Sequence, residues 1–349
     1  MSLAPQEYEG GNARGYLDTA AYGLPPQSAI AALEKALAAW RTGKHWTSWE
    51  EDGEACRSLF ASLVGTRAES VALLHALSPA AGLVAASLPA GPGDNVVLHE
   101  RDFASTLLPW RGLEGRGVEL RLRPLDGLAE AVDDRTALVV VSAVQSADGA
   151  VADLAGLKQT GARVFVDATQ AVGCVPFHVG DLDYVAAHPY KWLCSPRGLA
   201  FLYVHPERLH EIEPWTSGWK ASAQPYDDFY GLRELADDAR RLDVSLAWLS
   251  AVGARASLEL IASLGVDRVA EHDLRLARRL CAGAGLPEPS APIVRIETSD
   301  AEELLGTLRR AGVRAAGRAG AVRISFHFYN DEEDVARALE ALQVLDSKA

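Results

Sequence analysis

Three side chains stand in an order that suits one kind of chemistry. Asp167 closes the apolar run Val164-Phe165-Val166, Gln170 follows three residues on, and Lys191 comes after the next apolar run, in His188-Pro189-Tyr190-Lys191-Trp192-Leu193. Pyridoxal 5′-phosphate (PLP) demands an amine for a Schiff base and a carboxylate that keeps its pyridine nitrogen protonated. It also needs donors for its oxygens and phosphate, and a group that stacks on its ring. Gln170 is placed to donate to the phenolic oxygen.

Each of these residues has an ordinary reading as well. An aspartate after a strand is a common helix N-cap. A glutamine commonly sits on the surface, and most lysines are solvated. Lys191, however, is hemmed by Tyr190, Trp192 and Leu193. A desolvated lysine near a cation has a lowered pKa, which suits Schiff-base chemistry.

Further candidates surround this trio. In Ala76-Leu77-Ser78-Pro79-Ala80 a strand gives way to a helix. With Ser78 as N-cap and Pro79 at the first helical position, the free N–H groups would face an anion; a plain capped helix explains the same residues. His188 and Tyr190 are further phosphate donors. Phe103 either stacks on the ring or fills the core. Arg323 interrupts an apolar strand and needs a carboxylate partner, from the protein or from a substrate. Trp215, Trp219 and Arg318 are candidates for the entrance.

These residues need elements to hold them. Strands are expected at Val71–Leu74, Asn95–Leu98, Val118–Arg123, Ala137–Ala143, Arg163–Asp167, Tyr184–Ala187 and Leu199–Val204. Helices are expected between most of them, at Ala80–Leu88, Ser105–Glu114, Leu125–Ala131 and Leu154–Thr160. Continuous apolar strands alternating with helices imply a mainly parallel sheet covered on both faces. Helices at Gln27–Thr42 and Glu50–Val64 precede the sheet. After residue 240 come helices Ser245–Leu264 and Val266–Cys281, a strand Pro292–Glu297, a helix Ala301–Ala311, a strand Ala321–Phe326 and a helix Asp331–Leu345. That ending reads as a small α+β domain.

Composition narrows the function classes. The 349 residues carry 34 basic and 47 acidic side chains, a net charge of −13. That argues against nucleic acid and against an anionic membrane surface as partners. No apolar run is long enough to span a membrane. The four cysteines form no Cys-x-x-Cys pair and read as free thiols in a reducing cytoplasm. No phosphate-binding P-loop, dinucleotide fingerprint, zinc-protease or nucleophile-elbow motif occurs, and metal ligands do not cluster.

Taken together, the chain resembles the class V aminotransferase family of PLP enzymes, which includes cysteine desulfurases, isopenicillin N epimerase-like proteins and kynureninases. The resemblance runs from Tyr16-Leu17-Asp18-Thr19-Ala20-Ala21 to Tyr329-Asn330-Asp331-Glu332-Glu333. It implies PLP fold type I: a mainly parallel seven-stranded sheet covered by helices, plus a small C-terminal α+β domain. It sets residues 16–252 as the large domain, 253–349 as the small one, and 1–15 beside the small domain. It also implies a homodimer with sites at the interface.

The resemblance carries over Lys191 as the Schiff-base lysine, Asp167 to the pyridine nitrogen and Gln170 to the phenolic oxygen. Ser78 and its neighbour Leu77 match the phosphate loop, Tyr190 a phosphate ligand, Phe103 the ring-stacking position, and Arg323 the arginine that grips a substrate carboxylate. The sequence also departs from the family. The stretch 312–320 lacks the desulfurase cysteine, which argues against that activity. Ala143, Ser146 and Leu246 stand where the family commonly has His, Asn and Thr, and Pro79 replaces a frequent Glu. The expectation is an aminotransferase acting on an amino acid or small amine. The alternatives are a lyase or epimerase on the same site, or a PLP-fold binding protein that has lost catalysis.

Overall fold

The computed structural model describes residues 1–8, 13–43 and 46–346. Seven apolar runs become one sheet: β1 (Val71–Leu74), β2 (Asn95–His99), β3 (Glu119–Arg123), β4 (Thr136–Ser142), β5 (Val164–Asp167), β6 (Tyr184–Ala187) and β7 (Ala200–Val204). Their order is β1-β7-β6-β5-β4-β2-β3. Only β7 runs against its neighbours β6 and β1. Every residue of β1, β2, β5, β6 and β7 is buried, as strands covered on both faces require. β4 shows how the two faces are served: Leu138 and Val140 enter one core cluster, Val139 and Val141 the other. β3 lies at the edge, and its Glu119 and Arg123 are exposed charges that blunt it against pairing.

Helices α1 (Gln27–Arg41), α2 (Thr47–Leu63), α3 (Leu77–Ser87), α4 (Ala104–Leu107), α5 (Leu154–Gln159) and α6 (Trp248–Leu264) complete the large unit. Three helix expectations need correction. The helix expected at Ser105–Glu114 stops at Leu107 and continues as a 3-10 run from Leu108 to Arg116, because Pro109 has no N–H to sustain the α ladder. The one expected at Leu125–Ala131 is a single 3-10 turn, Leu125–Gly127, too short to repay helix nucleation. α3 begins at Leu77 with Ala76 as its N-cap and no side-chain cap, so Ser78 is not the cap. Pro79 is tolerated two positions deeper into the helix than expected, since the first turn's N–H groups have no partner inside the helix.

Buried charge pins the segment between β7 and α6 onto α2. The Arg57 guanidinium meets Asp243 at 2.6 Å, and Asp243 also accepts the Leu73 N–H at 2.8 Å. Lys220 Nζ lies 2.6 Å from Glu50 Oε2, and Trp248 Nε1 donates to the same carboxylate at 2.6 Å. Charges this deep are tolerated because they are paired.

The C-terminal unit has a three-stranded antiparallel sheet in the order β8-β10-β9, made of β8 (Ile293–Ile296), β9 (Ala316–Arg318) and β10 (Ala321–Ser325). Helices α7 (Val266–Gly283), α8 (Ala301–Arg310) and α9 (Glu332–Asp346) accompany it. β9 has no counterpart among the expected strands; three residues are below what periodicity can detect. The expected boundary at residues 252 and 253 falls inside α6, which runs unbroken to Leu264. The N-terminal segment meets this unit: the Leu3 N–H donates to Phe328 O at 2.8 Å, and Tyr16 and Asp18 bridge to Arg314 and Ser325. Residues 9–12 of that segment lie outside the described residues. Leu17 packs in the small unit's core. Among the described residues no single helix is long and apolar enough to cross a membrane.

Candidate active site

Parallel strands end on one side of a sheet, and the loops that leave them converge there. Leu77 follows β1, Phe103 follows β2, Ser146 follows β4, Gln170 follows β5 and Lys191 follows β6. All five line one cavity of about 260 Å³. Because β7 is antiparallel, the loop entering it reaches the same edge and brings Arg197. The small sheet adds Arg318 from β9 and Arg323 from β10.

Lys191 is only 6% exposed. Its Nζ lies 5.4 Å from the Phe103 ring centroid and 5.8 Å from that of Tyr190. Burial pulls the amine's pKa from 10.5 down to about 8. Asp167 opposes that pull, while Arg323, Arg318 and Arg197 add to it. Asp167 is the last residue of β5, in register with Ser142 of β4 and Ala186 of β6. Its two oxygens accept from Thr106 Oγ1 at 2.7 Å and from the Thr169 N–H at 2.9 Å. No α-helix starts after it, so it is not an N-cap. Each oxygen keeps a lone pair for a further donor.

Gln170 is buried. The Trp192 indole N–H donates to its Oε1 at 2.6 Å. An indole can only donate, so the amide orientation is settled. Nε2 then donates to Ala20 O and to Ser146 Oγ, both at 3.0 Å. A phenolic oxygen bound in the cavity would compete with Ser146 for the second of these hydrogens. Phe103 is 48% exposed and faces the cavity, which rules out the core reading. Asp102, which sequence reading passed over, fixes it: its carboxylate accepts the Phe103 N–H at 2.7 Å and the Ser142 N–H at 2.7 Å.

At one end of the cavity the Leu77 N–H, the first of α3, donates to His188 Nε2 at 3.1 Å. Burial lowers the His188 pKa to about 4, with Asp167 opposing and Lys191 and Arg197 adding to the drop. The imidazole is therefore neutral. Ser78 sits one residue into the helix and is not on the cavity wall.

At the other end Arg323 is 1% exposed. The sequence left its partner open; the structure supplies Asp18, whose Oδ1 lies 3.1 Å from a terminal nitrogen. The other terminal nitrogen donates to Ser146 O at 2.7 Å and Ser146 Oγ at 3.1 Å. Its Nε is buried and has no partner among the described residues. Burial lowers the pKa of Arg323, Asp18 opposing, and burial likewise raises that of Asp18. Of the three entrance candidates only Arg318 lines the cavity. Trp215 is largely exposed, and Trp219 packs edge-on against Trp46 and Phe229.

This donor set fits PLP: a desolvated amine, a fixed carboxylate, an open aromatic face, neutral donors at a helix start and cations at both ends. None of the four cysteines lines the cavity; all are buried. Among the described residues no group of three His, Cys, Asp or Glu could hold a metal.

Comparison with known proteins agrees with the geometry. The model of the family described as aminotransferase class-V matches residues 15–286. An uncharacterized aminotransferase of Bacillus subtilis is 30% identical over 325 residues, covering 86% of this chain and 85% of that protein. A probable cysteine desulfurase of Methanothermobacter thermautotrophicus is 26% identical over 332 residues, covering 83% and 82%. In the solved structures, a C-DES variant with glycine covalently linked to its PLP cofactor superposes with a TM-score of 0.88 at 19% identity, covering 97% and 98%. That last likeness is one of fold.

Proposed function

The chain belongs to the class V aminotransferase family of PLP-dependent enzymes, and we propose that within it the site transfers an amino group from a small amino acid. The observation that carries the reading is the Lys191 amine, buried in the cavity beside a fixed Asp167, with a pKa brought down to about 8 by burial. PLP, when bound, supplies an electron-withdrawing ring that makes a substrate's Cα–H acidic.

The chain's own residues would do the rest. Lys191 is the amine that would hold the cofactor's aldehyde carbon. Once released from that task, its Nζ takes the substrate's Cα proton and gives it back, and where it gives it back decides the product. Asp167, braced by Thr106 and Thr169, offers an oxygen to the pyridine N–H and so keeps that proton in place. Phe103 would cover one face of the ring and exclude water from it. Gln170 and the Ser146 hydroxyl would meet the phenolic oxygen. Arg323, with Arg318 beside it, would orient the substrate carboxylate through the N–H bonds still unused, the Nε–H and the second hydrogen of the nitrogen that meets Asp18.

Amino transfer is favoured over sulfur abstraction because a desulfurase needs a thiol within reach of the substrate, whereas no cysteine lines the cavity and burial raises the pKa of each thiol. Membership of this family supports a homodimer. Four free cysteines support a cytoplasmic setting.

The test is a panel of amino acids given to the PLP-loaded protein, with spectrum and product followed together. Conversion of the cofactor to pyridoxamine 5′-phosphate with release of a keto acid supports transfer. Release of pyruvate and ammonia without that conversion places the enzyme among the lyases. Racemised substrate makes it an epimerase, and no change with any amine leaves only the binding-protein reading.

A further inference from the structure

We propose that Arg197 is the cation that neutralises the cofactor's phosphate, presented to it by stacking on Tyr190. The assignment rests on the PLP reading above.

The charge balance of the cavity demands such a group. A phosphate monoester carries about −1.5 to −2 charges at neutral pH. The end of the cavity that offers it donors holds the Leu77 peptide N–H, the Tyr190 hydroxyl and the His188 imidazole, all neutral. Lys191 is committed to the aldehyde. Arg323 is tied to Asp18 at the opposite end, among residues of the small sheet. A dianion met by neutral donors alone is poorly compensated for the water it gives up.

Arg197 meets the need. It lines the same cavity as Leu77 and His188. Its guanidinium carbon lies 4.7 Å from the Tyr190 ring centroid, which orients the planar fork while leaving its N–H edges free. Among the described residues, no ion pair and no side-chain hydrogen bond engages that guanidinium. Its backbone is held independently: Ser250 Oγ donates to Arg197 O at 2.6 Å. The next residue, Gly198, has φ +109, and a Cβ there would meet Ser250 Oγ at 2.8 Å. The loop is therefore fixed by contacts that do not involve the guanidinium, which is exposed and keeps its water until an anion arrives.

The experiment titrates the cofactor-free full chain with PLP and, separately, with pyridoxal, which lacks the phosphate. Visible absorbance reports binding of both. Arg197→Ala and Arg197→Gln are expected to weaken PLP by about ten- to hundredfold, the range of a charge-assisted contact, and to leave pyridoxal within about twofold of wild type. Arg197→Lys, which keeps the charge but not the planar stack, falls between. Inorganic phosphate competes with PLP for the wild type and loses that competition in Arg197→Ala. Unchanged PLP affinity in Arg197→Ala overturns the proposal, as does an equal loss for PLP and pyridoxal. Wild-type protein that takes up neither ligand overturns the PLP reading itself, and this assignment with it.

Discussion

Replacing Lys191 by methionine is expected to stabilise the cofactor-free chain. Burial brings the amine's pKa from its ordinary 10.5 to about 8, against the opposing pull of Asp167. Each factor of ten in proton affinity is worth about 1.36 kcal/mol, so at pH 7 the folded chain carries a penalty of about 3 kcal/mol that the unfolded chain escapes. Methionine has similar length and no charge to desolvate. The sign follows from proton counts. Between about pH 8 and 10.5 the unfolded chain binds more protons than the folded one, so wild-type stability rises with pH across that window. The penalty is whole below about 8 and gone above 10.5. Urea unfolding of both proteins, freed of cofactor, reads the difference. Lys191→Met is predicted to be more stable by about 3 kcal/mol at pH 7 and by about 1 kcal/mol or less at pH 10. Equal stability at pH 7, or a gap that does not close with pH, refutes the desolvation of Lys191. A residue that destabilises its own fold is expected of a site kept for chemistry.

Three other outcomes follow from the same geometry. The rate at which the cofactor-free chain captures PLP tracks the neutral amine, so it rises with pH and levels off near 8; stopped-flow absorbance that keeps climbing toward 10.5 contradicts it. Gly23→Ala sets a Cβ 2.1 Å from Lys191 O and 2.8 Å from Cys194 Sγ, in a packed interior with no room to give. Equilibrium dialysis is predicted to show faster PLP loss from this variant than from wild type. Asp243→Ala leaves the buried Arg57 with Glu54 as its remaining ion-pair partner and is expected to cost about 3 kcal/mol in urea unfolding, with part of the loss recovered in Arg57→Leu/Asp243→Ala.

The sequence made the reacting pair legible because a parallel sheet translates order into place. Asp167 and Lys191 each lie at or just past the end of an apolar run, and parallel strands deliver such positions to one crevice. Phe103 and Leu77 followed by the same logic. What stayed hidden depends on contacts across long stretches of chain. Asp18 reaches Arg323 over 305 residues, and nothing local in either segment marks the pairing. Thr106 belongs to a helix that Pro109 cuts short, and its hydroxyl meets Asp167 only because β2 and β5 flank β4. Arg197 reaches the site through the antiparallel sense of β7, which its apolar composition does not disclose. The Ser78 cap failed for a local reason: Ser-Pro is a strong helix-start signal, yet the chain turned into α3 two residues earlier and left Ser78 off the cavity wall.

The central claim is that the Lys191 amine holds the cofactor. Reducing the PLP-loaded protein with sodium borohydride and mapping its peptides by mass spectrometry tests that bond directly. The reduced cofactor is expected on the peptide containing Lys191 and on no other, with the visible band lost at the same time and absent from Lys191→Ala. The cofactor on a different lysine, or unmodified Lys191 in protein whose band has disappeared, would contradict it.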